Sequence, residues 1–130
     1  MICFMKIFLS LSIFLLFSTL ANAGMSAEYN NLGIEFAKQG DTERAIVNFT
    51  KAYNNRGQAY IKQGNLEEAL MDFTRAIAVD PSYAKAYNRR ALTYYEMKDY
   101  EKAWADVRKA ESLGAMVNLD FINELTQVSK

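Results

Sequence analysis

Amide and guanidinium side chains, which can form several hydrogen bonds, are concentrated in two short runs of the sequence. Residues 54–56 read Asn-Asn-Arg, and residues 88–90 read Asn-Arg-Arg. An Asn amide both donates and accepts hydrogen bonds, as contact with an extended peptide backbone requires, and Arg can hold a carboxylate with two parallel hydrogen bonds. These residue types are therefore suited to noncovalent hydrogen bonding and ion pairing.

The residues that most often carry catalysis are scarce. The chain has no His, and its only cysteine, Cys3, lies near the N-terminus. Imidazole or thiolate metal ligands, a histidine general base and a thiol nucleophile are therefore disfavoured. No Gly-rich loop between a strand and a helix could hold a phosphate, and carboxylates such as Glu67 and Glu101 fit a solvated surface. We expect no enzymatic activity, no metal and no cofactor.

The first 23 residues have the composition of a secretory signal peptide. A short segment containing Lys6 precedes an apolar run from Ile7 to Leu20, and Ala21-Asn22-Ala23 provides small residues at the cleavage position. We therefore predict cleavage after Ala23 and a secreted or periplasmic mature protein. An uncleaved membrane anchor is the alternative, although the apolar run is shorter than the roughly 20 residues that span a bilayer.

The predicted mature chain is nearly neutral. Removing residues 1–23 removes one Lys and leaves a net charge of about −1. Such a charge gives no reason to expect nucleic acid or an anionic membrane as a partner, so we expect a protein or peptide and, after cleavage, no membrane. Because no cysteine remains, apolar burial must stabilise the fold without disulfides.

Three segments of the sequence align with one another. They begin at Tyr29, Tyr53 and Tyr87 and read YNNLGIEFAKQGDTERAIVNFTKA, YNNRGQAYIKQGNLEEALMDFTRA and YNRRALTYYEMKDYEKAWADVRKA. In each segment a small residue and an aromatic residue follow the Tyr at helical spacing, and Ala residues recur around a large apolar residue in the second half. A Gly-Asp, Gly-Asn or Lys-Asp pair between the halves indicates a turn. The pattern predicts two antiparallel helices per segment and an all-α fold.

These residues resemble the tetratricopeptide repeat, whose signature is W-x2-L-G-x2-Y, then A-x3-F, then P. Tyr replaces Trp in every unit, and the third unit departs from the signature at Arg90, Ala91 and Val107. The resemblance implies a small secreted repeat protein of bacterial type. Its predicted parts are a signal peptide at 1–23, an array at 24–117 with units at about 26–52, 50–83 and 84–117, and a capping helix at 118–130.

The first two units are too close together to contain the usual turn between repeats. Gly57 and Ala91 are 34 residues apart, whereas Gly33 and Gly57 are only 24 apart, so ten residues are absent. Either Asn54-Asn55 forms a tight turn, or the two helices that flank the junction fuse. Apolar residues continue at steps of 3 and 4 across the junction. We therefore predict one helix from about Thr42 to Lys62, about 30 Å long.

A fused helix would hold the first two hairpins apart. The first hairpin, from Tyr29 to Phe49, would then expose apolar surface that a neighbouring hairpin covers in a regular array. A second copy of the chain could cover it, as in domain swapping, and this predicts a homodimer with a self-assembling structural role. A partner protein could also cap the hairpin, or the protein could be a monomer whose first hairpin is loosely held.

The resemblance also implies a function and a site. Family members bind peptides or partner proteins on the concave face formed by the first helix of each unit, so this chain is expected to be a scaffold or adaptor. The residues carried over to that face are Asn30, Ile34, Ala37 and Lys38 in the first unit, Asn54, Asn55, Gln58, Ile61 and Lys62 in the second, and Lys85, Asn88, Arg89, Leu92, Tyr95 and Glu96 in the third.

Chaperone adaptors of the family hold a C-terminal carboxylate with a clamp of Lys, Asn and Arg side chains. Three clamp positions match in this chain, at Asn55, Lys85 and Arg89. The two positions expected in the first unit do not match, because Asn30 stands in place of Lys and Ile34 in place of Asn. A complete clamp is therefore disfavoured, whereas a groove that tolerates anions is consistent with these residues.

Overall fold

The computed structural model describes residues 24–129, and every regular element in this range is an α-helix. The helices are α1 (residues 24–38), α2 (Thr42–Gln63), α3 (Leu66–Val79), α4 (Ala84–Glu96), α5 (Tyr100–Ser112) and α6 (Leu119–Val128). The predicted all-α architecture of helical hairpins is confirmed. The predicted signal peptide lies outside the described residues. Among the helices described, none combines the length and the apolar character that a membrane crossing needs.

Left-handed backbone conformations end the first helix of each hairpin. The φ angle is 76° at Gly40, 78° at Gly64 and 63° at Lys98. Each of these residues is followed by the N-cap of the next helix. The Asp41 and Asp99 carboxylates accept hydrogen bonds from backbone N–H groups three residues further on, at 3.1 and 3.3 Å. The turns therefore form at the positions that the sequence pattern predicts.

Helix α2 runs without a break through the junction where the turn between repeats is missing. It comprises 22 residues from Thr42 to Gln63. The predicted fusion is confirmed, and the alternative of a tight turn at Asn54-Asn55 is not what forms. One helix therefore serves as the second helix of the first hairpin and as the first helix of the second hairpin.

The two halves of α2 pack against different helices through the same kind of contact. A Cβ atom placed on Gly33 of α1 would lie 2.9 Å from the Phe49 ring, and one on Gly57 would lie 2.7 Å from the Phe73 ring of α3. Each Gly thus makes room for an aromatic ring on the facing helix. At the far end of α1, the Ser26 hydroxyl donates a 2.8 Å hydrogen bond to the carbonyl oxygen of Ala52.

The third hairpin achieves the same close packing with different residues. Ala91 and Val107 occupy the positions equivalent to Gly57 and Phe73, and all of these are buried. Ala91 on the first helix is larger than Gly57, and Val107 on the second helix is smaller than Phe73. This exchange explains in physical terms why the third unit departs from the repeat signature without losing the fold.

The core is most continuous at the C-terminal end, where α6 covers the last hairpin. Phe121 and Leu125 of α6 pack into the cluster that contains Tyr87 and Val107. The Asn118 side chain caps α6 by accepting a 2.7 Å hydrogen bond from the backbone N–H two residues on. The predicted capping helix is therefore confirmed.

The first hairpin buries less apolar surface than the other two. Phe49 is half-buried, whereas Phe73, its equivalent in the second hairpin, has no exposed surface. Leu32, Ile34 and Val47 are 39%, 40% and 47% exposed. The incomplete coverage expected from the fused helix is thus present in the structure.

The paired Gly and Phe residues generate the first prediction. We expect Gly57→Ala to lower the free energy of unfolding by up to about 2 kcal/mol, because overpacking against Phe73 outweighs the gain in helix propensity. Phe73→Val alone should cost about 1–3 kcal/mol by leaving a cavity. The double variant copies the third hairpin and should be more stable than the two single effects predict. Urea denaturation measures all three; simple additivity would contradict the proposed compensation.

Candidate functional site

Two buried carboxylates fix the helices that carry the predicted site residues. Arg56 of α2 donates to Asp72 of α3 from Nε at 2.6 Å and from Nη2 at 2.8 Å. Arg90 of α4 makes the same paired contacts with Asp106 of α5, at 2.7 and 2.8 Å. The Asp72 and Asp106 residues are 1% and 5% exposed. A bidentate pair of this kind fixes the orientation of each first helix against its second helix.

The carboxylates also act on the arginines electrostatically. Hydrogen bonding to Asp72 raises the pKa of Arg56 above its ordinary value, and Asp106 does the same for Arg90, although burial opposes both effects. Both guanidinium groups therefore stay charged throughout the accessible pH range. These arginines are committed to structural pairs, which removes them as ligand contacts.

These ion pairs are not among the features predicted from the sequence. The signal was present, because Arg and Asp are 16 residues apart in both the second and the third unit. The first unit has Leu32 and Asn48 at the corresponding positions. The first hairpin therefore lacks the pair that orients the other two, in addition to having a less complete core.

Helices α2 and α4 border one open surface, which we call the α2–α4 groove. A pocket of about 230 Å³ lies between them, lined by Ile61, Phe73, Arg89, Leu92, Thr93 and Glu96. Among the predicted site residues on these two helices, only Asn54 is buried. The others are at least partly exposed: Asn55, Gln58, Lys62, Lys85, Asn88, Arg89, Leu92 and Tyr95.

Asn54 is not a groove residue, which corrects the prediction. It is only 1% exposed, and its Oδ1 atom has no hydrogen-bond partner among the described residues. The physical reason is that α2 is packed by α1 on its first half and by α3 on its second half. A helix shared by two hairpins has fewer exposed positions than the first helix of a regular unit, so this Asn is turned inward.

Tyr95 contacts the capping helix and not an open groove. Its ring meets the Phe121 ring edge-on, with 5.5 Å between the ring centres, and lies 5.9 Å from the Tyr100 ring. Desolvation, with the nearby negative charge of Glu124, raises the pKa of the Tyr95 hydroxyl above its ordinary value. Tyr95 therefore joins the last hairpin to α6, a role that its spacing in the repeat did not indicate.

The first clamp position of the first unit, Asn30, lies away from the groove. Asn30 lines a separate pocket of about 270 Å³ together with Tyr53 and Arg56. Arg56 is the α2 residue that pairs with α3, so Asn30 lies on that side of α2 and not beside Lys62. The clamp is thus incomplete in position as well as in sequence, and only Asn55, Lys85 and Arg89 remain.

The exposed side of α2 extends beyond the groove toward the start of the helix. Six residues follow one another at steps of 3 or 4 and so share one face. All are at least partly exposed, and together we call them the α2 stripe: Arg44, Val47, Lys51, Asn55, Gln58 and Lys62. Only the last three are predicted site residues, although the same spacing across a fused helix identifies the first three.

Aromatic rings of α1 border the first half of the α2 stripe. The Arg44 guanidinium carbon lies 5.4 Å from the centre of the Phe36 ring, and the Lys51 Nζ atom lies 5.4 Å from the centre of the Tyr29 ring. Both distances are within the range of cation–π attraction. The two cations are therefore held against α1 while remaining exposed to solvent.

Metal chemistry has no candidate in this part of the chain. Within residues 24–129, no group of three or more His, Cys, Asp or Glu residues is placed to hold a metal ion. The carboxylates of Asp72 and Asp106 are already occupied by arginines. The arrangement of the groove is consequently one of hydrogen-bond donors, amides and a small apolar pocket.

Comparison with known proteins identifies one family. Two family models, both described as tetratricopeptide repeat, match residues 50–83 and 73–105. The second tetratricopeptide domain of Spaghetti (RPAP3), bound to the HSP90 peptide SRMEEVD, is 30% identical over 72% of this chain and 95% of that one, with a TM-score of 0.50. Comparison with curated proteins gives no match.

Two further solved structures are similar over most of the chain. The first tetratricopeptide domain of Spaghetti, also bound to SRMEEVD, is 27% identical over 82% of this chain and 92% of that one, with a TM-score of 0.55. The second domain of human RPAP3, in complex with the HSP70 peptide SGPTIEEVD, is 29% identical over 86% and 98%, with a TM-score of 0.56.

The buried ion pairs generate the second prediction. We expect Asp72→Asn to lower the free energy of unfolding by about 2 kcal/mol, because the Arg56 guanidinium loses its charged partner while staying partly buried. Arg75→Ala is the matched control, since Arg75 contacts the same carboxylate at 3.0 Å from a half-exposed position and should cost less than about 1 kcal/mol. Equal losses in urea denaturation would show that Arg56 has no special role.

Proposed function

The chain belongs to the tetratricopeptide repeat family, and from this premise we propose that it is a non-enzymatic interaction module that binds an acidic peptide in the α2–α4 groove. The observation that carries the proposal is a pocket lined by Ile61, Arg89 and Leu92, between two helices that also carry the exposed cations Lys62 and Lys85. The basic groups can pair with carboxylates of a peptide. The pocket can accept one apolar side chain of the same peptide.

The charge of the groove favours an acidic ligand. Within residues 24–129, none of the groove cations Lys62, Lys85 and Arg89 belongs to an ion pair. Glu96 is the one carboxylate among the residues that line the pocket. A ligand with several carboxylates therefore meets a local excess of positive charge. The amides of Asn55, Gln58 and Asn88 are available to hydrogen-bond a peptide backbone.

The peptides bound by the similar Spaghetti and human RPAP3 domains both end in EEVD. Such a sequence combines acidic residues with one apolar residue. The acidic residues suit the groove cations, and the apolar residue suits the small pocket. Because neither Asn30 nor Ile34 matches the clamp, and Asn30 lines a separate pocket, we propose that side-chain carboxylates provide most of the recognition. The C-terminal carboxylate contributes less. Secretion stays a prediction from residues 1–23.

Titration with the peptide SRMEEVD is the third prediction. We expect binding to wild-type protein, weakening by about tenfold in Arg89→Ala through loss of a charged hydrogen bond. Amidation of the peptide C-terminus should change the dissociation constant by less than about threefold, since the clamp is incomplete. Isothermal titration calorimetry measures each value. Lys109→Ala, an exposed cation on α5, is the control and should bind as wild type.

Three results would overturn parts of this proposal. Absence of SRMEEVD binding, or equal binding by wild type and Arg89→Ala, would exclude the groove as an acidic-peptide site. A large loss on amidation would instead indicate a true carboxylate clamp formed by Asn55, Lys85 and Arg89 alone.

Homodimerisation through the first hairpin is a second proposed function. It is supported by the partial exposure of Phe49, in contrast to the complete burial of the equivalent Phe73. Leu32 and Ile34 add exposed apolar area on α1. A second copy is a suitable cover, because the second and third hairpins show that surfaces of this repeat type stack on one another.

The fourth prediction concerns this self-association. Light scattering coupled to size-exclusion chromatography should show a dimer at micromolar concentration. The Leu32→Gln/Ile34→Gln variant should be monomeric, because it makes the first hairpin polar. Met71→Gln removes an apolar side chain that is 52% exposed on α3 and should leave the dimer intact. A monomeric wild-type protein, or a dimer unaffected by the α1 substitutions, would exclude this interface.

A further inference from the structure

The α2 stripe is long enough to contact more of a partner than the groove does. Arg44 and Lys62 are 18 positions apart on one uninterrupted helix, which corresponds to about 27 Å along the axis. An extended segment of about eight residues would span this length, at roughly 3.3 Å per residue. The groove itself touches only the second half of the stripe, at Asn55, Gln58 and Lys62.

The stripe carries three cations and no carboxylate. Within residues 24–129, Lys51 and Lys62 belong to no ion pair, and Arg44 is paired only with Asp41, its neighbour at the N-cap, at 3.3 Å. That pair is exposed, with 69% of the Arg44 side chain accessible, so it is weak and open to exchange with another carboxylate. The face therefore carries unpaired positive charge at Lys51 and Lys62 and a weakly paired cation at Arg44.

The two cations of the first half are already positioned. Lys51 lies over the Tyr29 ring, and Arg44 lies over the Phe36 ring. A cation held against a ring loses less side-chain freedom when it pairs with a ligand, because part of the ordering has already occurred. Leu32, which is also on α1, adds exposed apolar surface to that helix.

We propose that an acidic segment of a partner protein lies along α2 and contacts Lys62, Lys51 and Arg44 in turn. This inference rests on the proposed function and extends it, because the groove holds one part of the segment and the first half of the stripe holds the rest. The partner does not pass from α2 to Asn30 and Ile34 on α1, as the arrangement of first helices in a regular array would require.

Fusion of the two helices creates this path. In a chain with the missing turn restored, Arg44 and Lys51 would belong to a second helix that is separate from the first helix carrying Asn55 and Lys62. Without the turn, all four lie on one face of one rod. The loss of ten residues therefore aligns basic side chains of the first hairpin with the groove of the second.

Two synthetic peptides test the path by their length. Ser-Glu-Glu-Ser spans about 13 Å when extended and covers only the groove end, whereas a ten-residue Ser/Glu peptide of the same pattern spans about 33 Å. Fluorescein-labelled peptides are titrated at low ionic strength and followed by anisotropy. For wild-type protein, we expect the ten-residue peptide to bind about five- to tenfold more tightly than the short one, as two added ion pairs allow.

Variants separate the stripe from general charge attraction. Arg44→Gln/Lys51→Gln should lose most of the length effect and leave the short peptide unaffected. Lys38→Gln/Lys109→Gln removes the same charge away from the stripe and should keep the full length effect. Because a longer peptide has more binding registers in every variant, only the difference between the variants counts as evidence. Far-ultraviolet circular dichroism confirms that each variant retains its helices.

Each outcome decides between the two proposals. A length effect that is equal in wild type and Arg44→Gln/Lys51→Gln overturns the α2 path, while loss of binding in Arg89→Ala would still support the groove. If neither peptide nor SRMEEVD binds wild-type protein, the groove proposal fails, and the path fails with it. Loss of the length effect in both double variants also overturns the path, because it shows attraction by net charge alone.

Discussion

Helical continuity across Ala52 and Tyr53 is the constraint on which the rest of the structure depends. Where the second and third hairpins meet, the chain leaves the helix at Asp80 and reverses through Pro81 and Ser82. No such segment follows Ala52, so the backbone hydrogen bonds of α2 continue and the chain cannot fold back. The first and second hairpins must therefore share α2. Helix α1 packs against its first half, and α3 packs against its second half.

The shared helix leaves the apolar residues of the first hairpin less buried than those of the second. The second hairpin retains a neighbour, since α4 packs beside it and Phe73 is fully buried. The first hairpin has no following hairpin in the regular position, and its Phe49 stays half-buried. It also lacks the Arg–Asp pair of the other units. Local stability should consequently be lowest in the first hairpin, where a partner or a second copy would stabilise the protein most.

The distribution of charge separates structural from ligand-binding groups. Arg56 and Arg90 are bound to buried Asp72 and Asp106 through paired hydrogen bonds, and these contacts join the two helices of the second and of the third hairpin. Neighbouring Arg89 has no such partner within the described residues and points to the groove pocket. Adjacent arginines in one sequence run thus have different roles, because successive residues on a helix face directions about 100° apart.

Most of the fold was determined by local and periodic features of the sequence. Gly64 and Asn118 mark helix ends through backbone conformation and capping, and the 24-residue spacing of Gly33 and Gly57 leaves no residues for a turn. The tertiary structure alone decided which side chains stay accessible. Asn54 is turned inward, and Tyr95 packs on α6. Exposure depends on which distant helix covers a position, and the spacing of residues along one helix cannot specify that.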